Sequence, residues 1–381
     1  MEYRNFGRTN FKPSALGFGC MRLPQTPGED GGIDEPEATR MVRYAIDQGV
    51  NYFDTAWSYH GGQSEVFLGK ALQDGYREKV ALATKMPSWL IEKQEDFDHY
   101  FFTQLERLQT DHIDFYLLHT LNQNYWDTYC RLNVFDWAEK QLAEGRIRHL
   151  GFSFHDEYPV FEKILTGYDH WDFCQIQYNY MDTDYQAGER GLRLAAERGL
   201  GVVIMEPLKG GKLAIEVPPN PVKNVFNQAE TPRKPAEWAL QWLWNQPEVG
   251  LVLSGMSTWE QVDLNLISAS RSGVSRLSAD EVRIVEQARD AWQGLAPVAC
   301  THCEYCLPCP SDVLIPQIFA IYNNAMMYEQ QERGQRAYQS QIAEDNQADA
   351  CIECGTCESL CPQHLTIIDY LKDAHAYLSE R

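Results

Sequence analysis

Short apolar runs alternate with segments of helical periodicity along residues 15–256 of this 381-residue chain. Each run is continuously apolar, which is typical of a strand that is buried on both faces in a parallel sheet. The pattern predicts strands at ALGFGCM (15–21), NYFDTA (51–56), VALATK (80–85), IDFYLLH (113–119), IRHLGFSF (147–154), FCQIQYN (173–179), GVVIME (201–206) and GLVLSGM (250–256).

The segments between these runs carry helix signals. Residues 35–49 place apolar side chains on one face and end at Gly49, and residues 185–199 also end at a glycine. Eight strand–helix units over about 290 residues predict an α/β fold, a (β/α)8 TIM barrel. A doubly wound open sheet is the alternative, but GFGCMRLP after the first run lacks the GxGxxG fingerprint of that fold.

Three regions lie outside the repeating pattern. Residues 3–15 indicate two short strands around a turn, a hairpin that we expect to close the bottom of the barrel. Residues 207–236 are rich in Pro, Gly and Asn and form a long loop, which is interpreted as a lid or a plain linker. Because the barrel pattern fades near residue 296, we predict a barrel domain at 1–296 and a small second domain at 297–381.

Composition and charge narrow the function. The net charge of −21 disfavours binding to nucleic acid, which requires a basic face, and to anionic lipid. The sequence contains no apolar run of the length that a membrane span requires. Its first residues, MEYRNFGRTNF, lack the apolar stretch of a signal peptide. We therefore expect a cytoplasmic protein.

Candidate catalytic side chains stand at the ends of neighbouring predicted strands. Asp54 ends the second strand, Lys85 the third and His119 the fourth, and Tyr59 lies just beyond Asp54. In TIM barrels the chemistry lies at this end. Lys85 needs an anionic partner, which Asp54 can supply. Because a nearby cation favours phenolate, Lys85 should lower the pKa of Tyr59 and make it a proton donor to a developing alkoxide. His119 would orient the carbonyl.

Four stretches resemble the aldo-keto reductase family, namely DTAWSYHGGQSEVFLGKAL (54–72), ATKMP (83–87), DFYLLH (114–119) and LGFGCMRLP (16–24). The resemblance extends over about residues 3–295. It implies that NADPH or NADH donates a hydride to a small-molecule carbonyl substrate. It also implies a catalytic tetrad that consists of Asp54, Tyr59, Lys85 and His119.

The same resemblance implies where the cofactor binds. Ser153 and Gln175 match residues that hold the carboxamide, although Phe154 stands where the family usually has Asn and Met205 where it often has an aromatic residue. The stretch SGMSTWEQVDLN (254–265) matches the loop and helix start that take the phosphates. The contacts expected there come from Gly255, Ser257, Gln261 and Asn265.

Selectivity between NADPH and NADH is expected to be modest. The basic residues that the family often uses for the 2′-phosphate are missing, and Gln261 stands at one such place. Lys209 and Lys212 in the 207–236 loop are candidates to replace them. Trp57, Tyr180 and this loop are candidates to line the substrate pocket.

Eight of the eleven cysteines lie in two short sets, CTHCEYCLPCP (300–310) and CIECGTCESLCP (351–362). The second set has the C-x2-C-x2-C-x3-C-P spacing of a [4Fe–4S] site, and the first is one residue shorter in its last gap. A zinc ribbon is the main alternative, although it usually combines two separated C-x2-C pairs. The predicted metal ligands are Cys300, Cys303, Cys306, Cys309, Cys351, Cys354, Cys357 and Cys361.

The two sets form an internal repeat. CPSDVLIPQIFAIYN (309–323) and CPQHLTIIDYLKDAH (361–375) share Cys-Pro, a spacer and an amphipathic helix, and residues 310–350 between the sets are predicted to be helical. The region resembles α-helical ferredoxin domains. In two-cluster ferredoxins the fourth cysteine of each set serves the other cluster. Cys361 is therefore assigned to the cluster of the first set and Cys309 to that of the second.

Three functions remain open on the sequence alone. The leading one is an iron–sulfur aldo-keto reductase with two [4Fe–4S] clusters. The second is an electron-transfer enzyme that exchanges electrons with ferredoxin or another redox protein through the clusters, which raises the question of a flavin, because hydride does not split readily into single electrons. In the third, the clusters are purely structural or redox-sensing.

Overall fold

The computed structural model describes residues 1–28 and 32–379. Eight strands close into a barrel in sequence order, and every neighbouring pair is parallel. This confirms the predicted (β/α)8 architecture. The strands are β1 (Leu16–Gly19), β2 (Tyr52–Asp54), β3 (Ala81–Met86), β4 (Ile113–Leu121), β5 (Ile147–Phe154), β6 (Phe173–Gln177), β7 (Gly201–Met205) and β8 (Leu251–Gly255).

Helices follow the strands and cover the barrel, and others fill the C-terminal region. The first helix shows why they form: Asp34 caps its N-terminus by accepting from the Glu37 amide, and its apolar stripe is buried as predicted. The helices are α1 (Glu35–Asp47), α2 (Gln63–Ala71), α3 (Glu95–Leu108), α4 (Gln123–Arg131), α5 (Val134–Ala143), α6 (Tyr158–Thr166), α7 (Gly188–Glu197), α8 (Asn220–Phe226), α9 (Pro235–Trp244), α10 (Trp259–Ser270), α11 (Ala279–Gln293), α12 (Ile315–Met327), α13 (Gln331–Gln341), α14 (Thr356–Leu360) and α15 (Ile367–Ser379).

The N-terminal segment fills the bottom of the barrel. Phe6 is buried inside it against Phe115 and Phe173, with ring centroids 5.6 and 6.1 Å away. The predicted antiparallel pairing of this segment is present in shorter form, as an isolated bridge between Tyr3 and Ser14 with backbone bonds from Arg4 N to Pro13 O at 2.9 Å and from Ala15 N to Glu2 O at 2.8 Å. Packing of Phe6 and the bond from Arg8 N to Gly199 O at 2.8 Å also hold the segment.

The chain divides into two compact units. The first comprises Met1–Glu216 and Thr231–Val285, and the second comprises Val217–Glu230 and Glu286–Arg381. The second unit thus includes part of the 207–236 segment, where α8 forms. The domain boundary predicted at 296/297 and the lid interpretation stay predictions.

The second unit has its own helical core, in which α12, α13 and α15 bury Phe319, Tyr338 and Leu371. Tyr338 accepts a hydrogen bond from the Ala348 amide at 2.8 Å and contacts His375 Nδ1 at 3.1 Å. These bonds join two helices to the start of the second cysteine set. The predicted helices after each Cys-Pro pair are present as α12 and α15. Within the described ranges, no helix combines the length and the apolar character that a membrane span requires.

Candidate active site and cysteine sets

Parallel strand register brings the predicted tetrad together at one end of the barrel. Lys85, fully buried on β3, donates to Asp54 Oδ1 at 2.6 Å and to the Thr55 carbonyl at 2.7 Å. Its Nζ also lies 3.3 Å from the Tyr59 hydroxyl. The ring of His119, on β4, lies 6.2 Å from the Tyr59 ring, centroid to centroid. The pairing of Lys85 with Asp54 therefore agrees with the sequence argument.

Burial and the Lys85–Asp54 pair set the charge state of this site. Burial alone would lower the pKa of Lys85, but Asp54 reverses that and raises it, so the ammonium stays charged. Burial raises the pKa of Tyr59, and Lys85 opposes this without overcoming it. The expected net lowering of the Tyr59 pKa is therefore wrong, because desolvation of the ring outweighs the nearby cation. Tyr59 is a neutral phenol at physiological pH, and Lys85 is placed to stabilise the phenolate that proton donation would leave.

His119 is kept neutral. Burial lowers its pKa well below the ordinary histidine value, and Lys85 and His155 lower it further. Its Nδ1 is buried and has no hydrogen-bond partner in the structure. A neutral imidazole beside Tyr59 can orient a polar oxygen without adding charge.

All ten residues predicted for catalysis and cofactor binding in the barrel line a single cavity of about 880 Å³. It opens at the C-terminal ends of the strands, where sites in this architecture lie. The lining of the cavity runs from the tetrad to the start of α10. It can therefore accommodate both a nucleotide and a small substrate.

Two predicted carboxamide contacts face this cavity from adjacent strands. Ser153 and Gln175 are register partners on β5 and β6. The Gln175 Oε1 atom is buried without a partner, while its Nε2 reaches only the Met205 sulfur at 3.7 Å. An unpaired buried acceptor is costly unless a ligand satisfies it. A primary amide in the cavity would supply the missing donor, so these residues fit a nicotinamide.

The four predicted phosphate contacts cluster around the N-terminus of α10. Gln261 Oε1 accepts from the Ser257 amide at 2.7 Å, and Asn265 Nδ2 donates to Ser254 Oγ at 3.0 Å. A Cβ on Gly255 would lie 3.1 Å from the Arg22 side chain, so the chain approaches closely there. Backbone amides at a helix start together with Arg22 suit an anion.

Beyond the tetrad, the lysine that lines the cavity is not Lys209, one of the two predicted to face the 2′-phosphate of the nucleotide. Lys209 does not line the cavity; its ammonium contacts both carboxylate oxygens of Asp182, at 2.5 and 2.7 Å. Lys234 does line it and lies 3.1 Å from Glu260 and 3.7 Å from Glu216. Sequence reasoning overlooked Lys234, because it precedes a helix outside the family's phosphate motif.

The substrate-pocket candidates Trp57 and Tyr180 are wrong, since neither lines the cavity. The Trp57 ring lies under the Arg107 guanidinium, 3.7 Å from centroid to Cζ, and Tyr180 is buried elsewhere. The third candidate, the 207–236 loop, does line the cavity. The wall beside the tetrad also contains residues in the loops or strand ends after β1, β3, β4 and β5. These are Met21, Trp89, Thr120 and His155. Their positions at or just beyond the ends of predicted strands could have identified these residues from the sequence.

In the second unit, both cysteine sets adopt the same unusual turn. His302 and Glu304 in the first set have φ of 60° and 61°, and Glu353 and Gly355 in the second have 55° and 74°. These are equivalent positions on either side of Cys303 and Cys354. Left-handed backbone is costly for residues other than glycine. Its repetition at matched places indicates that both sets are built for the same kind of ligand.

Cys361 lies with the first set rather than only with its own. A small cavity is lined by Cys300, Cys303, Cys306 and Cys361 together with apolar side chains. Burial raises the pKa of Cys306 to about 11, and the other three cysteines of this cavity contribute to that rise. In the second set, burial likewise raises the pKa of Cys357 to about 11, with contributions from Cys351 and Cys354.

The spacing of the cysteines distinguishes a [4Fe–4S] site from a zinc site. A zinc site would gather four ligands at about 2.0–2.3 Å from one centre, whereas a [4Fe–4S] cluster attaches its cysteines to different irons. The donor set and its spacing fit clusters.

Two family models match separate ranges of the chain. The model of the Aldo/keto reductase family matches residues 15–290. The model of a 4Fe-4S dicluster domain matches residues 299–366.

Individual relatives align with much of the chain. The "Probable aldo-keto reductase 1" of Glycine max is 28% identical over 68% of this chain and 82% of its own length. The "Uncharacterized oxidoreductase YrpG" of Bacillus subtilis is 30% identical over 56% of this chain and 68% of its own. The holo form of aldo-keto reductase AKR11C1 from Bacillus halodurans superposes with a TM-score of 0.63 at 28% identity, covering 76% of this chain and 96% of that one.

Proposed function

Because this chain belongs to the aldo/keto reductase family and carries a 4Fe-4S dicluster domain, it is an oxidoreductase, and we propose that it reduces a small aldehyde or ketone with NAD(P)H, or oxidises the corresponding alcohol. The observation that carries this proposal is the geometry at the cavity floor. Lys85 Nζ lies 2.6 Å from Asp54 and 3.3 Å from the Tyr59 hydroxyl.

The tetrad's own atoms support carbonyl reduction. Tyr59 is neutral and donates its phenolic proton to the oxygen on which negative charge develops. Lys85 stabilises the resulting phenolate, and Asp54 keeps Lys85 charged and fixed in direction. Neutral His119 hydrogen-bonds the same oxygen and selects its position. Asp54, Lys85 and His119 are buried and Tyr59 is partly buried, which limits the access of water to the reacting centre.

The cofactor would lie along the cavity from β5 and β6 to α10. When bound, the nicotinamide supplies the hydride. Gln175 and Ser153 would hold its carboxamide, and the segment from Gly255 to Asn265 would hold the phosphates. The unpartnered Gln175 Oε1 supports this orientation.

We further propose two [4Fe–4S] clusters with crossed fourth ligands. Cys300, Cys303, Cys306 and Cys361 would hold one. The repeat in backbone conformation and the cavity shared with Cys361 support this arrangement. The other cluster would be held by Cys351, Cys354, Cys357 and Cys309.

Exchange of electrons with a redox protein is the second candidate function. One cysteine in each set, Cys303 and Cys354, is exposed, whereas Cys357 is buried and the other five are intermediate. Cluster edges at these positions would lie close to solvent, as transfer to ferredoxin or a similar carrier requires. Purely structural clusters would need no such exposure.

The test is a carbonyl panel assayed with NADPH and NADH on anaerobically purified protein, comparing wild type with Tyr59→Phe. Loss of the proton donor should lower kcat by about 100-fold or more, while nucleotide binding survives. Tyr185→Phe, at a half-exposed tyrosine outside the cavity, is the matched control. Near-wild-type turnover of Tyr59→Phe would refute the proposed role of the tetrad.

A further inference from the structure

A buried polar network lies directly behind the tetrad. Glu65, on α2, is fully buried, and its Oε1 accepts from Thr84 Oγ1 and from Gln104 Nε2, both at 2.6 Å. Its Oε2 accepts from Arg107 Nη1 at 3.1 Å. Both oxygens of the carboxylate are therefore satisfied, by donors from β3 and from α3.

The network bonds directly to the strand that carries Lys85. Gln104 Nε2 donates to the Lys85 carbonyl at 3.0 Å as well as to Glu65. Its Oε1 accepts from the Tyr116 hydroxyl at 2.7 Å. Thr84 is the residue that immediately precedes Lys85. The Nε2 end of the Gln104 amide thus holds the backbone that carries the catalytic ammonium, and the Oε1 end ties Gln104 to Tyr116 on the neighbouring strand β4.

The other end of the network supports the segment that carries Tyr59. The Arg107 guanidinium lies 3.7 Å above the centroid of the Trp57 ring. Trp57 sits between Asp54 and Tyr59 in the chain, and the segment then turns through His60, whose φ of 51° is left-handed. Such a turn persists only where its surroundings hold it. Arg107, tied to Glu65, contacts this segment at the Trp57 ring, and the Leu23 amide donates to His60 Nε2 at 3.2 Å.

None of Glu65, Thr84, Gln104 or Arg107 lines the cavity, so these groups have no route to the substrate. A buried carboxylate is expensive, and apolar side chains would fill the same space more cheaply. Polar groups, unlike apolar ones, form directional hydrogen bonds that fix the relative position of the segments they join. They connect the two pieces of chain whose side chains must stay 3.3 Å apart, Lys85 Nζ and the Tyr59 hydroxyl.

We propose that Glu65, Gln104 and Arg107 are positioning residues for the proton donation step. They hold the Lys85 backbone and the Trp57–Tyr59 segment in one fixed relation. This proposal rests on the proposed function, because it assigns the network to the same reaction. A misplacement of about 1 Å in a reacting group can cost about 100-fold in rate, which sets the scale of the expected effect.

Arg107→Met is the first variant, because it removes the cation from Glu65 while Thr84 and Gln104 still bond to that carboxylate. We expect kcat for carbonyl reduction to fall by about 10-fold or more, with the KM for the carbonyl and the Kd for nucleotide unchanged within about twofold. Arg107→Lys keeps the charge next to Glu65 and should recover part of the lost rate. Glu65→Gln should lower kcat at least as much as Arg107→Met.

Glu106→Gln is the matched control. Glu106 is exposed on α3, the helix that carries Arg107, and the substitution is the same chemical change as Glu65→Gln. A second readout separates positioning from general loss of structure. When Tyr59 is already Phe, adding Arg107→Met or Glu65→Gln should lower kcat by less than about twofold, because the hydroxyl that these residues position is gone.

Each outcome supports or overturns the positioning role. Full kcat in a folded Arg107→Met protein overturns it, and so does an undiminished loss in the Tyr59→Phe background. Where Glu65→Gln fails to fold, the kcat values of the two Arg107 variants supply the test. An active Tyr59→Phe enzyme overturns the proposed function and the positioning role together, whereas an inactive Tyr59→Phe with a fully active Arg107→Met overturns the positioning role alone.

Discussion

At the barrel mouth, the reactive side chains already contact one another directly. Lys85 bonds to Asp54 and Tyr59, and each comes from a strand or an adjoining loop that the barrel's own core holds in place. In the second unit, Cys357 lies in the short helix α14, the other seven cysteines lie outside helices, and the apolar core is much smaller. None of the eight cysteines forms a disulfide.

The two sites differ in what stabilises the arrangement of their side chains. A closed sheet with two buried faces fixes its side chains whether or not a ligand is bound. A small unit whose loops carry the ligands of a cluster depends on the cluster for part of its stability, as small metal domains generally do. The catalytic site should therefore tolerate damage to the cysteine sets, whereas the cysteine sets should not tolerate loss of a single ligand.

The largest expected effect is that of Cys361→Ala. Crossed ligation predicts about eight irons per chain in anaerobic wild-type protein and about four in the variant. The lost cluster should be the one held by Cys300, Cys303 and Cys306. Residues 297–381 should become more susceptible to proteolysis, while carbonyl reduction by the barrel persists. Iron and sulfide counts, together with limited proteolysis, measure these effects.

Cys130→Ser is the control for Cys361→Ala, because Cys130 is an exposed cysteine outside both sets. Eight irons in wild type with the first-set cluster intact in Cys361→Ala would refute crossed ligation but keep the two clusters. Four irons in wild type would mean one cluster and an unused set. Loss of carbonyl reduction in the variant would contradict the independence of the barrel site.

A smaller effect is expected on the pH dependence of stability, through His119. Its folded pKa lies well below the ordinary value of 6.5, owing first to burial. Between those two values the unfolded chain binds a proton that the native protein does not. Stability should therefore fall as pH drops below about 6.5, by up to about 1.4 kcal/mol per pH unit from this residue. His119→Asn should lose less stability between pH 7.5 and pH 5.5, measured as the free energy of unfolding.

The same substitution at an exposed site, His99→Asn, serves as the reference. It should leave the pH dependence of wild type unchanged. An equal loss of stability on acidification in His119→Asn and in wild type would show that His119 does not titrate differently on folding. That result would remove the argument for a neutral imidazole in the site.

The smallest effect concerns the choice of nucleotide. Lys209 is paired with Asp182, so Lys209→Ala should leave the NADPH-to-NADH ratio of kcat/KM unchanged within about twofold. Lys234→Ala should lower that ratio by about threefold to tenfold, because it leaves Glu260 and Glu216 uncompensated near the predicted phosphate end. A strong NADPH preference that survives loss of Lys209, Lys212 and Lys234 would contradict this assignment.

The hydrophobic pattern was sufficient to predict the barrel, because continuously apolar strands separated by amphipathic helices have few ways to bury both faces. The same pattern predicted where Asp54, Lys85 and His119 stand, since strand ends in a closed parallel barrel converge by geometry alone. The spacing of the cysteines predicted a cluster domain for a similar reason. Only certain spacings along the chain allow several cysteine thiolates to bind the same iron–sulfur cluster.

Tertiary structure decided what depends on contacts between distant segments. No sequence pattern shows that Lys209 is neutralised by Asp182, or that Trp57 faces Arg107 rather than the substrate. The direction of the Tyr59 pKa shift was predicted wrongly because burial, which depends on the whole surrounding fold, outweighed a single neighbouring charge. Likewise, the sequence names Glu65 as one acidic residue on a helix. Only folding places it between Thr84, Gln104 and Arg107, where a buried carboxylate must be satisfied and can hold two segments together.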